Sequence, residues 1–234
     1  MRSYGQFCPV AKAAQVFCER WTALILRDLS AGPCRFNELR RGVPLMSPSV
    51  LSRRLKELEM EGVLIRRPAE SGGGTVYALT PAGEDFVPLV QALGVWGRRW
   101  TRRQLEDGEM DLGLLLFDME HRVSPEALPP GRSVIQFELA DQPPGKRHWW
   151  VVNQEGTAEI CFKDPGFEVD LYLVTDLATL IYLWRGDVSL ERALENGRLE
   201  AHGPAVMRKA LRPWLGLSGF AHVGSRRPDA RIAP

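Results

Sequence analysis

The sequence predicts an α+β protein built from two domains, residues 1–107 and 108–234. Hydrophobic spacing in the first hundred residues is mainly helical, with one pair of short β-rich runs. Four further β-rich runs follow one another only after Gly131. The charge also changes sign, because residues 1–107 carry 16 Lys and Arg against 11 Asp and Glu, whereas acidic residues are in excess in the remainder. A basic front domain favours an anionic partner, although such an asymmetry also arises by chance.

Composition and cysteine spacing exclude several classes of protein. With 44% apolar and 25% charged residues, the chain is typical of globular domains. The four cysteines form no CxxC pair, which argues against a structural metal site and against disulfides, and which indicates a reducing compartment. No apolar run has the character of a signal peptide or the length of a membrane span. We therefore expect a cytoplasmic protein with no membrane partner.

Motifs of the common enzyme classes are missing from the sequence. The four histidines are scattered, without a paired acid or nucleophile at a recognisable spacing. No GxSxG, phosphate-binding loop or HExxH motif occurs, and the glycine run after Glu70 lies between two short strands. We therefore expect no enzymatic activity, no cofactor and no metal.

Three helical segments are predicted before the first strands. Apolar residues recur every three or four positions from Phe7 to Ala31, and Gly32-Pro33 ends that run. A short helix is predicted from Phe36 to Val43. Ser47 at the N-cap and Pro48 at the first helical position begin the next helix, because both suit the unpaired amides of a helix start.

A hairpin and a long helix follow. The runs "VLIRRP" and "TVYALT" predict two strands around a glycine-rich tip at residues 71–74. Thr80-Pro81 repeats the pattern of a cap followed by proline and begins an amphipathic helix that extends to about Gln104. Its apolar face consists of Phe86, Leu89, Val90, Leu93, Trp96 and Trp100.

The helix after Ser47 has an unusual distribution of charge. Leucines 51, 55 and 58 form one apolar stripe, and the opposite face holds Ser49, Arg53 and Lys56, with Ser52 and Arg54 on its flanks. Its first two turns contain no carboxylate, although a solvated helix usually favours acids near its positive N-terminus. Hydroxyls and cations there suit a groove lined with phosphates. The alternative is an ordinary basic surface helix.

The order of the parts decides between these alternatives. A short helix, a turn, a basic helix, a glycine-tipped hairpin and a long apolar helix together predict a winged helix-turn-helix whose second helix reads double-stranded DNA. Each part alone is common in surface structure, but the sequence of parts is specific.

The first hundred residues resemble the HxlR family of bacterial winged-helix transcription regulators. The resemblance is carried by Cys8-Pro9-Val10, Arg20-Trp21-Thr22, Ile25-Leu26, "RFNEL" at 35–39, "SRRL" at 52–55 and Leu79-Thr80. It implies a homodimer in which the N-terminal helix and the helix after the wing pair across a two-fold axis, with the apolar face listed above in the contact. It also implies a repressor that binds an operator.

The resemblance assigns roles to individual residues. Arg53 is the candidate for a bidentate contact to guanine. Arg35 and Arg54 are expected to hold phosphates, and Arg66 and Arg67 to contact phosphate or the minor groove. The full predicted DNA-binding set is Arg35, Ser47, Ser49, Ser52, Arg53, Arg54, Lys56, Arg66 and Arg67.

Cys8 is a candidate sensor of oxidants or electrophiles. Several relatives use the cysteine of this Cys-Pro motif in that way, and a thiolate near a helix N-terminus is suited to such chemistry. The alternative is a small, partly buried packing residue.

Residues 108–234 predict a helix from Leu112 to Val123, four strands, two helices at Leu177–Trp184 and Leu190–Glu195, one short strand and a final helix at Ala205–Arg212. This order resembles the sterol-carrier-protein type 2-like fold, a small α+β domain with an antiparallel-rich sheet and an apolar tunnel. Matching positions include Asp176, Gly186, Leu190, Gly197 and Gly203.

A tunnel in this domain would bind an apolar small-molecule effector that shifts the geometry of the DNA-binding dimer. The candidate lining residues are Phe137, Trp149, Phe162, Tyr172 and Trp184. Two alternatives stay open. The aromatic residues are simply core, or the chain is a lipid or small-molecule carrier with a vestigial DNA-binding domain.

Overall fold

The computed structural model describes residues 3–70, 73–102, 104–120 and 122–227 of the 234. They form two compact units, Met1–Gly97 and Arg98–Pro234, each with its own hydrophobic core. The division falls inside a helix, whereas the predicted boundary follows Asp107. Ser71 and Gly72 of the predicted hairpin tip and His121 lie outside the described residues. None of the helices in the described part of the chain is long and apolar enough to cross a membrane.

The N-terminal unit is mainly helical and includes a three-stranded antiparallel sheet in which the third strand lies between the other two. Its elements are α1 (Pro9–Phe17), α2 (Thr22–Leu29), β1 (Cys34–Arg35), α3 (Phe36–Gly42), α4 (Pro48–Met60), β2 (Leu64–Pro68), β3 (Thr75–Leu79), α5 (Pro81–Glu84) and the first part of α6 (Val87–Trp100). Helices α3 and α4 with the β2–β3 hairpin form a winged helix-turn-helix, as the order of segments predicts.

Two long helices predicted from the sequence are each divided in the structure. The segment from Phe7 to Ala31 breaks at Trp21, whose φ of 78° is left-handed and therefore incompatible with a continuous α-helix. The segment from Thr80 breaks before Val87, because Pro88 has no amide to continue a helix and suits the first turn of a new one. The second of these helices ends at Trp100.

The predicted caps are present. Ser47 Oγ accepts the amide of Val50 at 3.4 Å, and Thr80 Oγ1 accepts the amide of Gly83 at 3.2 Å. Gly83 also permits close packing, since a β-carbon there would lie 2.1 Å from the carbonyl oxygen of Val63. The start of α5 is thereby held against the root of the wing.

The C-terminal unit is built on a five-stranded sheet. Its elements after the end of α6 are α7 (Leu112–Glu120), β4 (Ser133–Leu139), α8 (Pro144–Arg147), β5 (His148–Gln154), β6 (Thr157–Cys161), β7 (Leu171–Thr175), α9 (Leu177–Trp184), α10 (Leu190–Glu195), β8 (Glu200–His202) and α11 (Ala205–Leu215). The strand order is β6-β5-β4-β7-β8, and β4–β7 is the parallel pair in an otherwise antiparallel sheet. The prediction of a mixed fold with an antiparallel-rich sheet is confirmed.

The core of this unit lies between the sheet and the helices α7, α9 and α11. Large side chains of β4 and β5 meet Leu116, Leu180 and Leu211 from these helices. Trp214 Nε1 donates a hydrogen bond of 3.0 Å to Oδ1 of Asn153, so that the buried indole N–H has an acceptor within the core.

Candidate nucleic-acid interface

Helix α4 is fixed to its unit by one apolar stripe. Leu51, Leu55 and Leu58 are fully buried, and Leu26, Leu29 and Leu39 of α2 and α3 belong to the same core. The opposite side of the helix is exposed and carries Ser49, Ser52, Arg53 and Lys56. At the helix start, Oγ of Ser47 lies 3.1 Å from Oγ of Ser49. The packing therefore presents hydroxyls and cations on one open face.

Arg53 has a guanidinium that can exchange partners. Its side chain is 66% exposed, and its Nε lies 3.9 Å from Oε1 of Glu57. An exposed pair of this length contributes at most about 0.5 kcal/mol, so a phosphate or a guanine edge can replace it. No acidic residue lies in the first turn of α4. The positive end of the helix dipole and these cations thus favour the same anionic partner.

Arg54 differs from its prediction as a phosphate contact. Its side chain is only 8% exposed, with Nη2 3.0 Å from Oε2 of Glu19 and Nη1 2.7 Å from Oε2 of Glu57. This buried guanidinium joins α4 to the turn between α1 and α2. A phosphate would have to displace two carboxylates from a partly desolvated site, which is costly. The structure therefore gives Arg54 a role in packing.

The two wing arginines lie on opposite faces of the hairpin because successive side chains of a strand alternate. Arg66 is exposed and pairs in register with Tyr77 of β3. Arg67 is half-buried, and its Nη1 lies 3.4 Å from Oε1 of Glu70. Only one of these two side chains can therefore contact DNA from a given face of the wing.

Arg35 stands where the helix-turn-helix meets the wing. It precedes α3, and its amide donates to Oε2 of Glu38 at 2.6 Å. A β-carbon added at Gly74 would lie 3.7 Å from Nη1 of Arg35, so the guanidinium reaches the turn of the wing. This partly buried position is compatible with a backbone contact near the wing tip.

Helix α6 carries an exposed apolar stripe. Leu89, Leu93, Trp96 and Trp100 recur every three or four residues and are all exposed. Phe86 and Val90, which the sequence assigned to the same face, lie elsewhere. Val90 is buried, and the ring of Phe86 stacks on Phe17 with centroids 5.2 Å apart. These two residues pack the unit's own core.

The N-terminal segment adds apolar surface that the sequence prediction did not list. Phe7 is 98% exposed, and Val10 of α1 is also exposed. Phe7 lies just before α1 and Val10 in its first turn, so the two exposed side chains are close together in the chain. Large apolar residues at the exposed start of a helix are the sequence signal that indicates an intermolecular surface here.

The cysteines differ in their surroundings. Cys8 is the N-cap of α1 and is partly buried, which agrees with the predicted position near a helix N-terminus. Burial, with the nearby carboxylates of Glu38 and Asp28, raises the pKa of Cys34 to about 11, so this thiol stays protonated at neutral pH. Among the described residues, no group of three or more His, Cys, Asp and Glu side chains could hold a metal ion.

The predicted tunnel residues do not come together around a void. Phe137, Trp149 and Trp184 are buried, and the first two stack with centroids 3.9 Å apart and planes within 7°. Phe162 and Tyr172 are exposed instead. The prediction that these five residues line one tunnel is therefore wrong, because three fill the core and two face outward.

Comparison with known proteins places the N-terminal unit in a family. The model of the HxlR-like helix-turn-helix family matches residues 16–105. The chain is 38% identical over 98 residues to YvaP, an HTH-type transcriptional regulator of Bacillus subtilis, covering 41% of this chain and 91% of YvaP. An HTH-type transcriptional regulator of Methanothermobacter thermautotrophicus is 33% identical over 103 residues, covering 44% of this chain and 79% of that protein.

A solved structure, the reduced form of the transcriptional regulator YodB from B. subtilis, aligns at 31% identity with a TM-score of 0.36, covering 41% of this chain and 96% of that one. Residues 106–234 lie outside the family match. On the strength of the family model and the match to YvaP, the chain belongs to the HxlR-like helix-turn-helix family of transcriptional regulators.

Proposed function

We propose that this protein is a homodimeric, sequence-specific repressor that reads double-stranded DNA with the exposed face of α4. The observation that carries the proposal is the open face of Ser49, Ser52, Arg53 and Lys56 on a helix whose other side is anchored by buried leucines. A rigid helix with exchangeable cations is what major-groove reading requires. Repression is the sign of regulation that the family resemblance implies.

Within this proposal the contacts divide into two classes. Arg53 reads a base edge, with Lys56 and the serines of α4 beside it. Ser47, Arg35 and Arg66 position the protein on phosphates or sugar. Arg54 and Arg67 are left out of this set, because the first is buried in an ion-pair network and the second faces away from Arg66.

The test is binding of the full chain to the DNA upstream of its own gene, measured by fluorescence anisotropy at several salt concentrations. Affinity should fall steeply with salt, since each released counterion adds to the slope. Arg53→Ala should weaken binding to the preferred site by about 1–3 kcal/mol and reduce its advantage over a scrambled site.

Arg208→Ala is the matched control, because it removes one exposed cation from α11 of the other unit. Its binding should equal that of the unchanged protein. If Arg53→Ala and Arg208→Ala bind the preferred site equally well, α4 is not the reading helix.

The dimer is supported by the exposed stripe on α6 together with Phe7 and Val10. Large apolar residues at helical spacing on a surface favour pairing with another helix. A second copy supplies the same stripe, and a two-fold axis then presents two α4 helices to successive major grooves. Cys8 lies at the start of α1, beside this surface in the chain, and its role as a sensor stays a prediction.

For the C-terminal unit we propose a sterol-carrier-type α+β domain, supported by its element order and its sheet. The effector tunnel predicted there has lost its support, because Phe137, Trp149 and Trp184 pack against one another or the helices. The carrier alternative needs the same tunnel and is weakened for the same reason.

A further inference from the structure

A groove of about 600 Å³ lies within the N-terminal unit, at the root of the wing. One side is formed by the end of α2 and the following turn, with Leu29 and Pro33. The other sides come from the wing strands and from the beginning of α6, with Ala78 and Val87. The volume is that of a small-molecule site, and its lining combines apolar residues with Ser30, Arg67, Glu84 and Gln91.

Arg67 is the cation in this groove. It shares a face of the wing with Ala78, because Ile65 pairs with Ala78 and side chains two apart lie on the same side of a strand. Its Nε is buried and has no hydrogen-bond partner among the described residues. A buried donor without a partner is costly to leave and is the natural place for an incoming acceptor.

The ion pair already formed by Arg67 does not block such an acceptor. Its partner Glu70 is 85% exposed, and the two atoms are 3.4 Å apart. Exposed pairs of this kind are weak and exchange readily. The planar guanidinium can therefore take a carboxylate in a bidentate arrangement that also satisfies Nε.

Glu84 also lines the groove, and it is exposed. Its negative charge opposes ligands with several negative charges, such as nucleotides, more strongly than ligands with one. The apolar side chains of the groove, one arginine and one opposing carboxylate together favour a molecule that has an apolar part and a single carboxylate.

We propose that the groove at the root of the wing binds a small apolar carboxylate, with the carboxylate on Arg67 and the apolar part against Leu29, Ala78 and Val87. The binding site itself stands independently of DNA recognition. Its regulatory consequence rests on the proposed function, because a ligand there would contact both the wing and the helix α6 that we propose as the dimer contact.

The test is isothermal titration of the full chain, without DNA, using naphthalene-2-carboxylate and its uncharged partner naphthalene-2-carboxamide. The carboxylate should bind at least about tenfold more tightly than the carboxamide, and Arg67→Gln should remove that advantage. Glu84→Gln should tighten carboxylate binding about two- to fivefold, because it removes the opposing charge.

Arg66→Gln is the matched control, since it is the same change one residue away on the other face of the wing; its affinity for the carboxylate should be unchanged. Gln91→Trp adds a large ring at an exposed position of the groove and should abolish binding while circular dichroism shows an intact fold.

Equal affinities for the two probes, or equal losses of affinity in Arg66→Gln and Arg67→Gln, would overturn the proposal. The absence of binding heat at low millimolar concentrations of the probe would overturn it as well. Because no DNA is present, none of these outcomes depends on whether the protein binds an operator.

Discussion

Helix α6 and the C-terminal sheet carry the same kind of side chain in opposite surroundings. Trp96 of α6 is 59% exposed, whereas Trp149 of β5 is completely buried against Phe137. The C-terminal unit uses its aromatic side chains to complete its own core. The N-terminal unit leaves Leu89, Leu93 and Trp96 exposed, and exposed apolar residues of this kind are typical of a surface that binds another protein. Aromatic content by itself therefore does not distinguish a core from an interface.

The same contrast appears between neighbouring arginines of α4. Arg53 is exposed and weakly paired, while Arg54 is buried between two carboxylates. Consecutive side chains point in different directions around a helix, so Arg53 faces solvent whereas Arg54 faces Glu19. In both comparisons the surroundings, and not the residue type, determine the role.

Removing Trp149 should produce the largest effect on folding. Trp149→Ala leaves a cavity beside Phe137 and should lower the free energy of unfolding of the C-terminal unit by about 3–5 kcal/mol. Chemical denaturation followed by circular dichroism measures the change. Tyr172→Ala is the control on the same sheet, because Tyr172 is exposed, and its loss should stay below about 1 kcal/mol. Similar losses in both variants would contradict the packed core described for this unit.

Changing Trp96 should instead separate protomers that remain folded. Trp96→Asp places a charge in the proposed contact and should weaken dimerisation at least about a hundredfold, or about 2.7 kcal/mol. Sedimentation velocity over a range of concentrations measures the change. Val206→Asp is matched to it, since Val206 of α11 is also 59% exposed. The proposed interface fails if the unchanged protein is monomeric, or if both variants dissociate alike.

The sequence predicted local structure well wherever local chemistry determines it. Helices Leu177–Trp184 and Leu190–Glu195 have the predicted bounds, because Asp176 and Ser189 cap their first turns. The exposed face of α4 was also predictable, since the positions of leucine and arginine around a helix follow from its periodicity.

Other features depended on contacts between residues distant in the chain. Glu19 and Arg54 are 35 positions apart, so no pattern within α4 reveals that this flank position is buried. The predicted tunnel is wrong for a related reason. Spacing identifies apolar side chains that face inward, but only their mutual packing determines whether a void is left among them. The sequence likewise could not show that Nε of Arg67 has no hydrogen-bond partner among the described residues, because this depends on how the wing and α6 pack around it.

The two arginines of α4 allow the smallest of these differences to be measured. Arg54→Met keeps the apolar stem but removes the guanidinium from Glu19 and Glu57, which are themselves partly exposed and can be hydrated. We therefore expect a loss of about 1–2 kcal/mol in the free energy of unfolding of the N-terminal unit, less than for a fully buried pair. Arg53→Met should change that free energy by less than about 0.5 kcal/mol.

The two variants should rank in the opposite order in DNA binding. Arg53→Met should lose discrimination between operator and scrambled DNA, whereas Arg54→Met should retain it at temperatures where the variant is folded. Paired denaturation and anisotropy measurements on both variants test this reversal. If Arg54→Met is as stable as the unchanged protein, its ion pairs contribute nothing to the fold, and Arg54 returns as a candidate for phosphate binding.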